Sequence, residues 1–239
     1  MQIHKLILTA NDCYKAGRYI TPRGIMVHST GANNPWLKRY VGPDDGLLGH
    51  NPNNNHWNMS GVGACVHAFI GLDKNGEVQI YQTLPWTMRG WHCGRSGNDT
   101  HISFEICEDN LKDPVYFGKI YAAAVELCVT LCREFNLPPE SICDHAEGHQ
   151  LGIASNHGDV SHWFPKHGKS MDTLRADVKK ILEGDKMDNK PATWAKEAVD
   201  WAVKSGILKG DEKGDLKLSS PCTRQEMVVF LHRLFKSIK

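Results

Sequence analysis

The sequence predicts an α/β protein: a β-sheet flanked by helices, followed by a small all-helical C-terminal unit. Three observations predict it. Short apolar or alternating segments bounded by turn residues recur between residues 24 and 107. Two stretches with helical periodicity follow them. A polar strip at 184–191 then separates all of this from a helical tail.

Each element has a local reason. Gly24-Ile25-Met26-Val27-His28 is a short buried strand ending on a polar residue. Residues 31–63, rich in Asn, Gly and Pro, read as mostly loop. Residues 65–72 form an apolar run of β character. Asp73-Lys74-Asn75-Gly76 carries the Asn-Gly hairpin signal, and Glu77-Val78-Gln79-Ile80-Tyr81 alternates as the returning strand. His101-Ile102-Ser103-Phe104-Glu105-Ile106-Cys107 alternates again. Between residues 116 and 135 apolar residues recur at roughly the 3.6 period of an amphipathic helix, stopped by Leu137-Pro138-Pro139. A second helix spans 171–182 and ends near Gly184. In the tail, a helix over 194–204 places Trp194, Ala198, Trp201 and Ala202 on one face. Thr223 and Glu226 form a capping-box pattern that opens a last helix to about Lys236.

Composition narrows the function classes. The chain has 239 residues, 41% hydrophobic and 23% charged, which is ordinary globular usage. Lys and Arg number 28 against 27 Asp and Glu. That near-neutral balance argues against a nucleic-acid binder or a metal nuclease with a basic substrate surface. No run of about 18 apolar residues suggests membrane insertion. The apolar patch at 6–10 is too short for a signal-peptide core, so synthesis in a bacterial cytoplasm is expected. With no secretion signal, the eight cysteines read as free, mostly buried thiols. The tail from Asp185 carries net +3 and the rest net −2, a contrast that supports two units.

Thirteen histidines are unusual, and five fall between 145 and 167. Histidine is the commonest metal ligand and the usual neutral-pH acid or base. A catalytic zinc needs three protein ligands and an open position for water. His28, where a strand meets a loop, is well placed to aim an imidazole into a cleft; His145 and Asp159 are further candidate ligands. His162 is an alternative to Asp159, and His149 stands four residues after His145, although Gly148 argues against a helix there. Glu105 sits within the apolar run Phe104-Glu105-Ile106, where an ionisable residue needs a reason.

These pieces resemble, in order, the zinc-dependent N-acetylmuramoyl-L-alanine amidases of phages and bacteria and the peptidoglycan-recognition proteins. The resemblance runs through Ile25-Met26-Val27-His28-Ser29-Thr30, Cys65-Val66-His67-Ala68-Phe69-Ile70, Arg89-Gly90-Trp91-His92-Cys93-Gly94, Ile102-Ser103-Phe104-Glu105-Ile106-Cys107 and the segment 145–165. It implies a central mixed β-sheet, a zinc amidase domain over 1–183, and Zn2+ held by His28, His145 and Asp159. The choice of Asp159 follows the family spacing: Phe164 stands five residues after it and His157 two before. Glu105 and His157 are the implied catalytic residues; Trp91, His92 and His67 are the implied substrate-binding ones. The implied reaction is hydrolysis of the amide joining the muramoyl lactyl group to L-alanine in peptidoglycan. A non-catalytic peptidoglycan-binding module is the alternative. The absent signal peptide fits an endolysin released through holin pores.

After a linker at 184–192, residues 193–239 resemble one S-layer-homology module: a Trp-Ala helix, Gly206-Ile207-Leu208-Lys209-Gly210, then Thr223-Arg224-Gln225-Glu226. This implies binding to a secondary cell-wall polymer, with Arg224 as the candidate contact, and homo-oligomerisation through a tail too small for its own core.

Overall fold

The computed structural model describes residues 2–184, 188–212 and 214–237. The chain divides into two compact units, Met1–Ile181 and Leu182–Lys239.

The first unit is built on a six-stranded mixed sheet: β1 (Ile3–Lys5), β2 (Gly24–Ser29), β3 (Ala68–Leu72), β4 (Val78–Gln82), β5 (His101–Ile106) and β6 (Ile142–Asp144), in the order β1-β4-β3-β5-β2-β6. Only β3 and β4 pair antiparallel. They form the expected hairpin, closed by Asp73, whose Oδ1 accepts from the backbone N–H groups of Asn75 (2.8 Å) and Glu77 (3.0 Å). Gly76 supplies the positive φ of +80° that this turn needs. Every residue of β2 is buried, as a strand with neighbours on both edges and cover on both faces must be.

Helix α1 (Asp12–Ala16) precedes β2, and α2 (Pro114–Phe135) packs on β3 and β4. Asp113 caps α2 by accepting from the Val115 and Tyr116 N–H groups, and Pro114 needs no partner at the first position. By length and composition α2 is apolar enough to cross a membrane, contrary to the expectation that no stretch of that kind exists. Twelve of its residues, among them Ile120, Leu127 and Leu131, are instead buried, which marks it as the core helix of this unit. Helix α4 (Met171–Gly184) ends where expected.

Three features depart from the sequence reading. The three-residue strands β1 and β6 are too short to show alternation. Helix α3 (His145–Gln150) forms despite Gly148, because Asp144 and Glu147 make a reciprocal capping box. Gly148 is there for closeness: a Cβ would lie 2.8 Å from Met26 Cε. Finally, Cys13 and Cys65 are joined in a disulfide. Cys93, Cys107, Cys128, Cys132 and Cys143 are free and buried as expected.

The second unit holds α5 (Lys196–Lys204) and α6 (Arg224–Ser237). The capping box at Thr223 and Glu226 is present: Glu226 N–H donates to Thr223 Oγ1 (3.2 Å) and Thr223 N–H to Glu226 Oε2 (2.7 Å). The strip read as a linker is partly built into this unit. Asp188 N–H donates to Asp215 Oδ1 (2.7 Å), and Asn189 Oδ1 accepts from Leu216 N–H (2.7 Å). Residues 185–187 of that strip lie outside the described residues. Ile207 is the one buried residue among those described here, and Trp194 and Trp201 are exposed rather than packed on a core.

Candidate metal centre

In sheets built from parallel strands, ligand sites form at the carboxyl ends of the strands. Here β5, β2 and β6 run parallel and side by side. The register places His28 directly opposite Glu105, and Val27 opposite Asp144, the residue before His145. Three chemically equipped positions therefore share one sheet edge. His145 is aimed by the capping box of α3, and α3 is clamped in turn by Arg175, whose two Nη atoms hold Glu147 at 2.8 and 2.9 Å.

Asp159 comes from a 3-10 turn, Asp159–His162, and completes a cluster with His28 and His145. Its Oδ2 lies 2.7 Å from His28 Nδ1 and 2.8 Å from His145 Nδ1, and the two Nδ1 atoms are 3.2 Å apart. Two imidazoles and a carboxylate are a donor set that suits zinc. Around one tetrahedral ion, ligand atoms at zinc–nitrogen or zinc–oxygen distances stand roughly 3.3 Å apart, so the triangle needs to open by only about half an ångström. Each histidine has a separate partner at its other nitrogen: His28 Nε2 lies 3.0 Å from His92 Nδ1, and His145 Nε2 lies 3.1 Å from Ser155 Oγ. Partners of this kind orient an imidazole ring and keep its Nδ1 turned toward the cluster.

The cluster opens into a cleft of about 340 Å³, also lined by Trp91, His92, Glu105 and His157. Glu105 Oε2 is buried without a hydrogen-bond partner. Burial, reinforced by the charges of Asp159 and Glu108, raises Glu105 well above the usual carboxylate range. Burial pushes Asp159 the same way, but hydrogen bonds from His145 and His28 outweigh it and hold that carboxyl below the usual range. Burial lowers His28 against the opposing pull of Asp159. His92 is lowered further, by burial and then by His28.

The remaining predicted positions fall in different places. His157 is exposed at the cleft, its ring 4.7 Å from that of His145. Trp91 is 46% exposed, with the Arg89 guanidinium 5.4 Å over its ring. His92 backs His28. His67 does not reach the cleft. It is fully buried, with Nδ1 accepting from the Ser103 N–H (3.0 Å) and Nε2 at 2.7 Å from the Met88 carbonyl, so it is a core histidine and not a substrate contact. His162 pairs with Glu108 and His149 faces the Ala154 carbonyl; neither joins the cluster. Arg224 is exposed at the first position of α6. Ser155 and Glu108 escaped the sequence reading, since neither residue type carries a signal at its position.

Fold and site thus define a mixed-sheet α/β protein with a candidate His-His-Asp metal centre beside a half-buried glutamate. The chain belongs to the N-acetylmuramoyl-L-alanine amidase family, which it matches over residues 18–162, and residues 187–228 match the S-layer homology domain. The N-acetylmuramoyl-L-alanine amidase XlyA of Bacillus subtilis (strain 168) is 39% identical over 72 residues, which are 29% of this chain and 23% of that protein. The matched segment therefore spans less than a quarter of that relative. The structure of the XlyA catalytic domain is 25% identical with a TM-score of 0.51, covering 74% of this chain and 99% of that one. PlyL (22%, TM-score 0.53, 74% and 97% covered) and the Staphylococcus aureus hydrolase AmiA (20%, TM-score 0.55, 76% and 83% covered) share the fold.

Proposed function

We propose that the first unit is a zinc-dependent peptidoglycan amidase that cuts the bond between the N-acetylmuramic acid lactyl group and L-alanine. The observation that carries this reading is the convergence of His28, His145 and Asp159 on one point, beside the unpartnered Oε2 of Glu105 in an open cleft. When bound, zinc would polarise the scissile carbonyl, acidify a water and favour the ionised form of Glu105. Glu105 takes the proton of the attacking water and hands it to the leaving amine; a raised proton affinity suits the second of these tasks. His157, at the cleft mouth, donates to the oxyanion that develops on the carbonyl. Trp91 offers an exposed indole to a sugar face, and His92 orients His28.

The second unit is proposed to bind a secondary cell-wall polymer, with Arg224 pairing with its anionic groups. Its exposed apolar side chains on α6, Met227, Val228, Leu231 and Phe235, favour self-association. Sedimentation equilibrium tests this; a monomer at all concentrations refutes it. The enzyme is proposed to act on the wall after holin-type release.

Digestion of purified Gram-positive walls, with and without a zinc chelator, tests the main reading. New alanine amines that disappear with chelator are expected. New sugar reducing ends would mean a glycosidase. Binding with neither product would mean a recognition module.

A further inference from the structure

One buried carboxylate near the cluster lies outside the reaction as described. Glu108 follows β5 and is 4% exposed. Its Oε1 accepts from Ser29 Oγ (2.6 Å) and lies 2.9 Å from His162 Nε2, while its backbone N–H donates to Thr30 Oγ1 (3.1 Å). Ser29 directly follows His28, and His162 closes the 3-10 turn that begins at Asp159. Glu108 therefore joins the strand end that carries one donor to the turn that carries another. The neighbouring residue repeats the device toward the third donor. Ser161 Oγ donates to Asp144 Oδ2 (2.6 Å), and Asp144 precedes His145.

The turn needs such ties. Asp159 has φ +26°, in the region that favours glycine. A non-glycine residue stays there only when its surroundings over-determine it. Val160 is fully buried and anchors the middle of the turn; Ser161 and His162 anchor its end.

We propose that Glu108 and His162 act as one unit of positioning residues that holds Asp159 toward His28 and His145. This rests on the zinc reading above. His162 thus serves the metal site through Glu108 and not as a ligand. Outer partners of this kind typically change metal affinity by about 10–100-fold.

The test is zinc affinity and stoichiometry of the full chain, by competition with a chromogenic chelator. The variants are His162→Ala, Glu108→Ala, their combination, and Glu108→Gln, which keeps an acceptor oxygen for Ser29 and His162. Melting of the metal-free His162→Ala chain is followed in parallel. The expectation is one zinc per chain throughout, with affinity about 10–100-fold weaker in each alanine variant. The double variant should be no weaker than either single one, and Glu108→Gln should be restored toward the unmodified chain. Metal-free His162→Ala should melt with the unmodified chain. Unchanged affinity in His162→Ala overturns the proposal. So do additive losses in the double variant, or a fall in metal-free stability that accounts for the defect. Loss of stoichiometric zinc in His162→Ala alone would make His162 a ligand and also overturn it. If the unmodified chain binds no zinc, the zinc reading fails and this proposal with it.

Discussion

His67 makes the reading of the core quantitative. Burial lowers its pKa to about 4, against hydrogen bonds to Met88 and Ser103 that raise it. The unfolded chain returns it to about 6.5. The folded state therefore takes up the His67 proton less readily than the unfolded state does. The sign follows: stability is complete above about pH 6.5 and is lost as pH falls toward 4. Linkage between these two values gives about 2 kcal/mol lost at pH 5 relative to pH 8. His28, His56, His92 and His101 are also lowered by burial and add loss of the same sign. The contribution of His67 is isolated with His67→Gln. The amide accepts from the Ser103 N–H and donates to the Met88 carbonyl but does not titrate. Urea unfolding of the first unit, metal-free, at pH 8 and pH 5, is the assay. The variant is expected to lose about 2 kcal/mol less than the unmodified chain between these pH values. Its KM on cell walls at pH 8 should be unchanged. Equal losses in the two proteins would refute the buried, neutral histidine, and a raised KM would return His67 to the substrate.

Four further outcomes are expected. Glu105→Gln should lower kcat by about 10²–10⁴-fold while zinc affinity persists, measured as release of alanine amines; activity close to that of the unmodified enzyme would remove Glu105 from proton transfer. His28→Ala should abolish both stoichiometric zinc and wall digestion yet leave wall sedimentation intact. Cys13→Ser should destabilise the first unit by about 2–4 kcal/mol in urea under non-reducing conditions, because the disulfide closes a 52-residue loop, and by nothing once both proteins are reduced. Arg224→Ala should weaken sedimentation with walls without altering turnover of a soluble muramoyl peptide; equal wall binding would take Arg224 off the polymer.

What could be read from the sequence was whatever repeats at short range. The Asn75-Gly76 turn, the 3.6-period helix at α2 and the Thr223–Glu226 capping box are local patterns, and each appears where expected. The second capping box, Asp144 with Glu147, was equally local, but Gly148 concealed it by arguing against a helix. Its glycine answers a demand from elsewhere in the chain, the approach of Met26 on β2. His28 and Glu105 were legible for a related reason. Each is an ionisable residue beside apolar ones in its strand (Val27-His28 and Phe104-Glu105-Ile106), and parallel pairing makes the two neighbours.

Partnerships across long separations were not legible. Cys13 and Cys65 meet only because α1 and the segment before β3 fold together. His67 was placed at the substrate only by the resemblance; in the structure its two nitrogens are met by Ser103 and Met88, on segments 36 and 21 residues away. The same physics separates the histidines of the first unit by function. One whose two nitrogens are both satisfied by the backbone is locked out of chemistry. One that meets a carboxylate at Nδ1 and a separate partner at Nε2, as His28 and His145 do, keeps Nδ1 turned toward the shared cluster. Sequence supplies the imidazoles, and only the fold decides which nitrogen remains to act.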